Sequence, residues 1–167
     1  MASLIQKLIS GGQTGVDRGA LDVAIQLNIP HGGWCPRDRR AEDGQIPRQY
    51  QLTETELVDY KERTERNVID SDATLILVRG PLSGGTFMTH AFATDHGKPL
   101  HVVDLYVLIS GQSRSASLQQ ARQWIQQSNV DVLNVAGSRE SQNEGIAAEA
   151  AAYLVSLLNG NGNGKHS

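Results

Sequence analysis

The segment Ala73-Thr74-Leu75-Ile76-Leu77-Val78 limits the fold most sharply. It is a near-continuous β-type run with no polar alternation, the pattern of a strand covered on both faces. Strands of that kind belong to parallel sheets whose crossover helices lie on either side. The flanking sequence agrees. Leu4 to Ile9 is a short β-type run, after which Ala20, Leu21, Ala24 and Ile25 fall on one helical face. Met88, Ala91, Phe92 and Asp95 mark a second helix, and Leu100 to Val103 a further strand. Leu118, Ala121, Arg122 and Ile125 fit a partly buried helix, and Val130 to Ala136 another strand. Ile146, Ala150, Tyr153, Leu154, Leu157 and Leu158 form the clearest amphipathic helix. Thr53-x-x-Glu56 and Ser141-x-x-Glu144 read as capping boxes ahead of helices. Strand, loop and helix in repeated order give an α/β fold, an open parallel sheet with helices on both faces.

One domain is expected over residues 1–158, with a disordered tail at 159–167. Residues 30–52 hold Gly32, Gly33, Pro36, Gly44 and Pro47 with few apolar residues. They read as a short strand near His31–Trp34 and then a long functional loop. The apolar runs break well before the ~18–20 residues needed to span a bilayer, and no signal-peptide pattern opens the chain. Cys35 is the one cysteine, so a disulfide framework or an all-cysteine metal site within the chain is excluded. A cytoplasmic protein, without a membrane partner, is the expectation.

Fifteen Lys and Arg stand against eighteen Asp and Glu, a formal charge of −3, and aromatics make up 5%. Neither suits a nucleic-acid binder. Glycine is in excess: seventeen in 167 residues, roughly 10% against a usual ~7%. Three belong to the tail. Others cluster at three strand-to-helix junctions: Ser10-Gly11-Gly12-Gln13-Thr14-Gly15, Ser83-Gly84-Gly85-Thr86, and Gly137-Ser138-Arg139-Glu140-Ser141. In an open parallel sheet, ligands bind outside the carboxyl ends of the strands. Glycine lets backbone amides approach a ligand there, and a helix start adds partial positive charge. A glycine pair between strand and helix also serves tight packing alone. Three such junctions on one sheet edge, each with a hydroxyl, point to a shared anion site. The candidate binding residues are Ser10, Gly11, Gly12, Gln13, Thr14, Gly84, Gly85, Thr86, Gly137, Ser138 and Arg139. Neither the dinucleotide fingerprint nor a Walker loop occurs.

The loop at 35–48 adds Arg37, Arg39, Arg40 and Arg48, interleaved with Asp38, Glu42 and Asp43, so part of the set should be self-paired. Cys35 reads as a small buried residue rather than a metal ligand. Five histidines show no ligand spacing. Glu42 and Asp43 could hold a cation, although no metal site is expected. Trp34 could stack on a ligand or pack. Asp17 suits the start of a helix dipole, and Asp72 a turn.

A specific ordered set of short motifs then carries a resemblance. It comprises Ile9-Ser10-Gly11-Gly12-Gln13-Thr14-Gly15-Val16-Asp17-Arg18, Gly33-Trp34-Cys35-Pro36 with Ala41-Glu42-Asp43-Gly44, Ser71-Asp72-Ala73-Thr74-Leu75-Ile76, Gly84-Gly85-Thr86, and Asn134-Val135-Ala136-Gly137-Ser138-Arg139-Glu140-Ser141. Over about residues 4–158 the chain resembles the molybdenum cofactor carrier proteins. These lie in the circularly permuted branch of the Rossmann-like superfamily that also holds lysine-decarboxylase-like nucleotide hydrolases. The resemblance implies a Rossmann-like homo-oligomer, dimer or tetramer, that binds molybdenum cofactor, an anionic pterin phosphate carrying molybdenum, and possibly molybdate. It would protect that compound and exchange it with donor and acceptor proteins, the ligand lying across the glycine-rich strand ends. Hydrolases of the wider superfamily resemble Pro-Gly-Gly-x-Gly-Thr-x-x-Glu with a catalytic glutamate. Here the stretch reads Ser83-Gly84-Gly85-Thr86-Phe87-Met88-Thr89-His90. The missing glutamate favours binding without turnover, and no catalytic residue is assigned. A nucleotide N-glycosidase or phosphoribohydrolase and a nucleotide-sensing module are the alternatives.

Overall fold

The computed structural model describes residues 3–109 and 113–159. The chain runs from β1 (Lys7–Ile9) through α1 (Val16–Gln26) to β2 (His31–Gly32) and β3 (Trp34–Cys35). A single 3-10 turn at Arg37–Arg39 leads to a small antiparallel pair, β4 (Arg40–Ala41) and β5 (Gly44–Gln45). β6 (Thr53–Glu54), α2 (Tyr60–Ile69), β7 (Ala73–Val78), α3 (Gly84–Asp95) and β8 (Leu100–Asp104) follow. A short α4 (Leu105–Ile109), α5 (Arg114–Gln127), β9 (Val132–Gly137) and α6 (Ile146–Leu158) complete the order. The expected tail lies outside the described residues apart from Asn159.

Five parallel strands form the central sheet in the order β2-β1-β9-β7-β8. Moving the last strand–helix unit, β9–α6, to the front would renumber this as 3-2-1-4-5, the order of the Rossmann sheet. The physical neighbours are therefore kept and only the chain entry point has changed. The topological switch falls between β9 and β7, where successive connections diverge. That crevice is where an open α/β sheet takes its ligand.

Every residue of β7 is buried, as its unbroken apolar run requires. Its alternate side chains serve two different layers. Leu75 and Leu77, with Leu133 and Val135 of β9, join the main core under α1, α5 and α6. Thr74 and Asn134 point to the other side, where the Asn134 amide donates to the Thr74 hydroxyl at 3.2 Å. This polar pair faces the layer formed by α2 and α3. Gly19 in α1 sets the spacing between two helices of the main core. A Cβ there would stand 2.6 Å from the Ala147 carbonyl oxygen, so only glycine lets α1 and α6 approach this closely.

The sequence expectations hold for the principal strands and helices and fail at several boundaries. Ile25 does not share the buried face of Ala20, Leu21 and Ala24; it is 43% exposed. Thr53 is no helix cap: it opens β6, whose amide donates to the Gly33 carbonyl, pairing β6 with β3. The helix starts later, at Tyr60, where the Asp59 carboxylate accepts from the amides of Lys61 and Glu62. Ser141 does not cap α6 either. The N-cap is Gly145, with φ of 86°, and the Glu140 carboxylate accepts from the Gly145 and Ala147 amides. The capping box that does form is Ser83 with Thr86, at the start of α3. Asp72 does more than turn the chain. Its carboxylate accepts from the Asp131 and Val132 amides and ties the start of β9 to that of β7. The region from 30 to 52 is not one loop, because four very short strands and the 3-10 turn organise it.

Candidate functional site

A cavity of about 250 Å³ opens at the switch point, above the carboxyl end of β9. Its floor is the strand segment Asn134–Gly137 with Gly11, Gln13 and Asp17 from the first junction. One wall is the start of α3, Ser83 to Thr86 with Met88 and Thr89. The opposite wall is α2, through Tyr60, Arg63, Thr64 and Asn67, and Arg139 and Gln142 close the rim.

The structure divides the candidate residues into groups. Gly11, Gln13, Gly84, Gly85, Thr86, Gly137 and Arg139 line the cavity. Ser10, Gly12 and Ser138 do not. The Ser10 hydroxyl donates to the Asp17 carbonyl, and the Ser138 carbonyl accepts from the Val16 amide. Gly12 packs against Ile46 and Leu52. Thr14 faces a neighbouring open groove instead.

The glycines also separate by what surrounds them. A Cβ on Gly11 would stand 2.0 Å from the Arg63 guanidinium, and one on Gly137 would stand 2.2 Å from the Leu77 carbonyl oxygen. At Gly137 the neighbour is fixed backbone, and at Gly11 it is the buried Arg63 side chain, so both glycines make room for the protein's own atoms. At Gly84 and Gly85 a Cβ would meet nothing within 4 Å. These two leave open space at the cavity wall. The first amides of a helix have no intrahelical acceptor, so the start of α3 presents donors and a positive dipole end there.

Arg63 and Asp17 form the buried charged centre, and neither was singled out as a binding residue by the sequence. Arg63 Nη1 donates to the Gly11 carbonyl at 2.9 Å and lies 3.4 Å from the Asp17 carboxylate. Nε donates to the Tyr60 carbonyl and the Thr64 hydroxyl. Burial pushes the Asp17 carboxyl up from its ordinary range, opposed by Arg63 and by the Gln13 amide that donates to it. The same burial pulls Arg63 down, and Asp17 counters it. Guanidinium nonetheless stays protonated in proteins. Arg139 adds a second cation, its guanidinium 4.9 Å from the centre of the Tyr60 ring, with Arg63 at 5.2 Å from that centre. The charged lining is thus Arg63 and Arg139 against Asp17, which favours an anion although the whole chain carries −3.

Glu42 knits the junctions together. Its carboxylate accepts from the Thr14 hydroxyl, from the Ser141 hydroxyl at 2.6 Å and from the Ser141 amide at 3.3 Å. It also lies 3.9 Å from Arg139. Burial acts to raise its pKa, but these hydrogen bonds and Arg139 outweigh that and hold it below the usual carboxylate range. Asp43 is paired with Arg18 at 2.6 Å. The two carboxylates considered for a cation are therefore occupied by protein donors. Among the described residues, no group of three or more His, Cys, Asp or Glu side chains could hold a metal ion.

The remaining candidates fall outside the cavity. Arg39 is buried and donates to the carbonyls of Ile46, Pro47 and Tyr50, so it staples its own loop. Arg40 donates to the Val58 carbonyl and covers Tyr60 from 4.6 Å. Arg37 and Arg48 are exposed and line neither the cavity nor the groove. Cys35 is fully buried, and burial pushes its thiol up, so it sits as a small apolar residue. Trp34 donates to Asp70 at 2.7 Å under the Arg66 guanidinium and packs rather than facing the cavity. Sequence spacing held no signal for Tyr60, Arg63 and Asn67. They lie on a mostly polar helix that reads as solvated, and Asn67 is held there by the Trp34 backbone, donating to its carbonyl and accepting from its amide.

With this geometry in view, the family model of the circularly permutated YpsA SLOG family matches residues 8–158. The chain belongs to that family. The strand order found here is that of a permuted Rossmann sheet, as the family's description says of its members. A crystal structure from Syntrophus aciditrophicus SB, provisionally named a molybdenum carrier protein, superposes with a TM-score of 0.87 at 42% identity. The match covers 93% of this chain and 96% of that one. No curated protein matches the chain. No helix among the described residues is long and apolar enough to cross a membrane.

Proposed function

We propose that this family member binds molybdenum cofactor as cargo in the switch-point cavity and passes it on without turning it over. One observation carries the reading. Open glycine space at the start of α3 faces Arg63 and Arg139 across a small, partly enclosed cavity. Backbone amides, a helix dipole and two guanidiniums hold a phosphate or oxo group without a large net charge. A volume of about 250 Å³ lies just below the usual range of ligand pockets, which suits a compact molecule and not a polymer. The provisional name of the 42%-identical structure points the same way.

Binding without turnover has its own support. Asp17 is the carboxylate lining the cavity, and it is engaged by Arg63 and by the Gln13 amide. The stretch from Ser83 to His90 lacks the second Gly-Thr and the glutamate of the related hydrolases. A cytoplasmic homo-oligomer serving donor and acceptor proteins is the setting this reading calls for.

Anaerobic isothermal titration with purified molybdenum cofactor tests it. Binding tighter than roughly millimolar, lost in Gly85→Val, is the expected result. Absence of binding in the wild-type protein would overturn the proposal. Release of free base from a nucleoside monophosphate would replace it with the hydrolase reading.

A further inference from the structure

The amide of Gln13 is oriented with unusual rigour for a side chain at a cavity. Its Oε1 accepts from the Thr14 amide at 3.1 Å and from the Glu42 amide at 2.9 Å. Two backbone donors on one atom settle which end is oxygen, so Nε2 is the other end. Gln13 is 4% exposed and lines the cavity floor. Nε2 is buried and finds no acceptor among the described residues. Native proteins rarely leave such a donor unpaired without a functional reason.

Its neighbour indicates what the donor is for. Asp17 shares the same stretch of floor, and its carboxylate is 3.2 Å from the Gln13 backbone nitrogen. A carboxylate in this part of the lining makes the floor less favourable to an oxyanion than to a neutral carbonyl, and it offers an acceptor to a ring N–H. Oxyanions are better served at the wall formed by Gly84 and Gly85, where the first amides of α3 lack intrahelical acceptors.

Resting on the cargo reading above, we propose that Gln13 is a specificity-determining residue whose Nε2 donates to a neutral carbonyl on the heterocycle of the ligand. The subsite takes a cyclic amide edge, while the phosphate is held at the start of α3. The cavity thus has a heterocycle end and an anion end, and the Gln13 amide distinguishes a lactam-bearing ring from one without a carbonyl.

Gln13→Glu tests this, because it keeps shape and the Oε1 contacts while replacing the donor with an acceptor. Anaerobically prepared molybdopterin and inorganic phosphate are titrated separately into wild type, Gln13→Glu and Gly85→Val, with melting temperature as the folding control. Gln13→Glu should weaken molybdopterin about tenfold or more and phosphate by clearly less, since only the added charge and not the lost donor acts on phosphate. Gly85→Val should weaken both. In the wild-type protein, which needs no variant to fold, the Gln13 side-chain amide resonances should shift with molybdopterin and stay put with phosphate. Unchanged molybdopterin affinity in Gln13→Glu, with unmoved wild-type resonances, overturns the assignment and leaves the cargo reading intact. Equal loss of phosphate shows that Gln13 faces the oxyanion and also overturns it. Failure of wild type to bind molybdopterin removes both.

Discussion

Replacing Gly11 by alanine tests whether the first junction is packing or ligand surface. The new Cβ would lie 2.0 Å from Arg63 Nη1, 2.9 Å from Cζ and 3.0 Å from Cδ. Ordinary contact needs ~3.5 Å, so the guanidinium must retreat by about 1.5 Å. Retreat breaks the 2.9 Å hydrogen bond to the Gly11 carbonyl and pulls the cation away from Asp17. A charge-assisted hydrogen bond is worth about 1.5–3 kcal/mol, and a buried carboxylate left without its cation brings the cost to about 3–5 kcal/mol. Urea denaturation at neutral pH measures this directly. The loss should shrink on acidification, because protonating Asp17 removes the uncompensated charge. Gly85→Ala supplies the contrast. It has open space within 4 Å and lies in the first turn of α3. It should stabilise by about 0.5–1 kcal/mol, raise Tm by about 1–4 °C, and weaken ligand binding. A cost below about 1 kcal/mol for Gly11→Ala would show that Arg63 slides aside freely. The division of the glycines into packing and ligand positions would then fail.

Arg139→Ala should weaken binding more than Arg122→Ala, since Arg139 lines the cavity while Arg122 donates to the Ser156 carbonyl between α5 and α6; equal losses in a titration would reduce the effect to overall charge. Glu42 should make stability depend on pH. Its folded pKa is depressed, so its contribution is present above the ordinary value of 4.5 and fades as pH falls through the folded value. The stability gap between wild type and Glu42→Gln should therefore narrow between neutral and acid pH. A gap independent of pH would mean that the bridge from Thr14 to Ser141 does not need the charge.

The candidate site was legible where local patterns carry information and opaque where they do not. The Gly84-Gly85 pair was legible as the strand-to-helix junction that it is, at the start of α3. Gly11 and Gly137 looked identical to it in sequence, yet their missing side chains make room for Arg63 and for the Leu77 carbonyl. Those neighbours are 52 and 60 residues away in the chain. Arg63 itself carries no local mark: on α2 it is one cation in the polar run Lys61-Glu62-Arg63-Thr64-Glu65-Arg66. Only the folding of α2 over the floor of the cavity turns it into a buried partner of Asp17. The misplaced capping boxes have a similar origin. Thr53 and Ser141 are good caps by type, but Thr53 is taken by pairing with β3 and Ser141 by Glu42.

The order of apolar runs determined the layer architecture by itself, because an unalternating strand such as Ala73–Val78 must be covered on both faces. It also determined that the glycine-rich junctions share one sheet edge, since parallel strands all end on the same side. Strand order was a tertiary decision. Periodicity says which residues face inward, but not that β9, the last strand, inserts between β1 and β7. That insertion puts the switch point beside Gly137 and Asn134 and gathers Gln13, Asp17, Arg63 and Arg139 around one space. The negative total charge was correctly read from the sequence, while the local positive balance of the cavity arose from which of those charges the fold brought together.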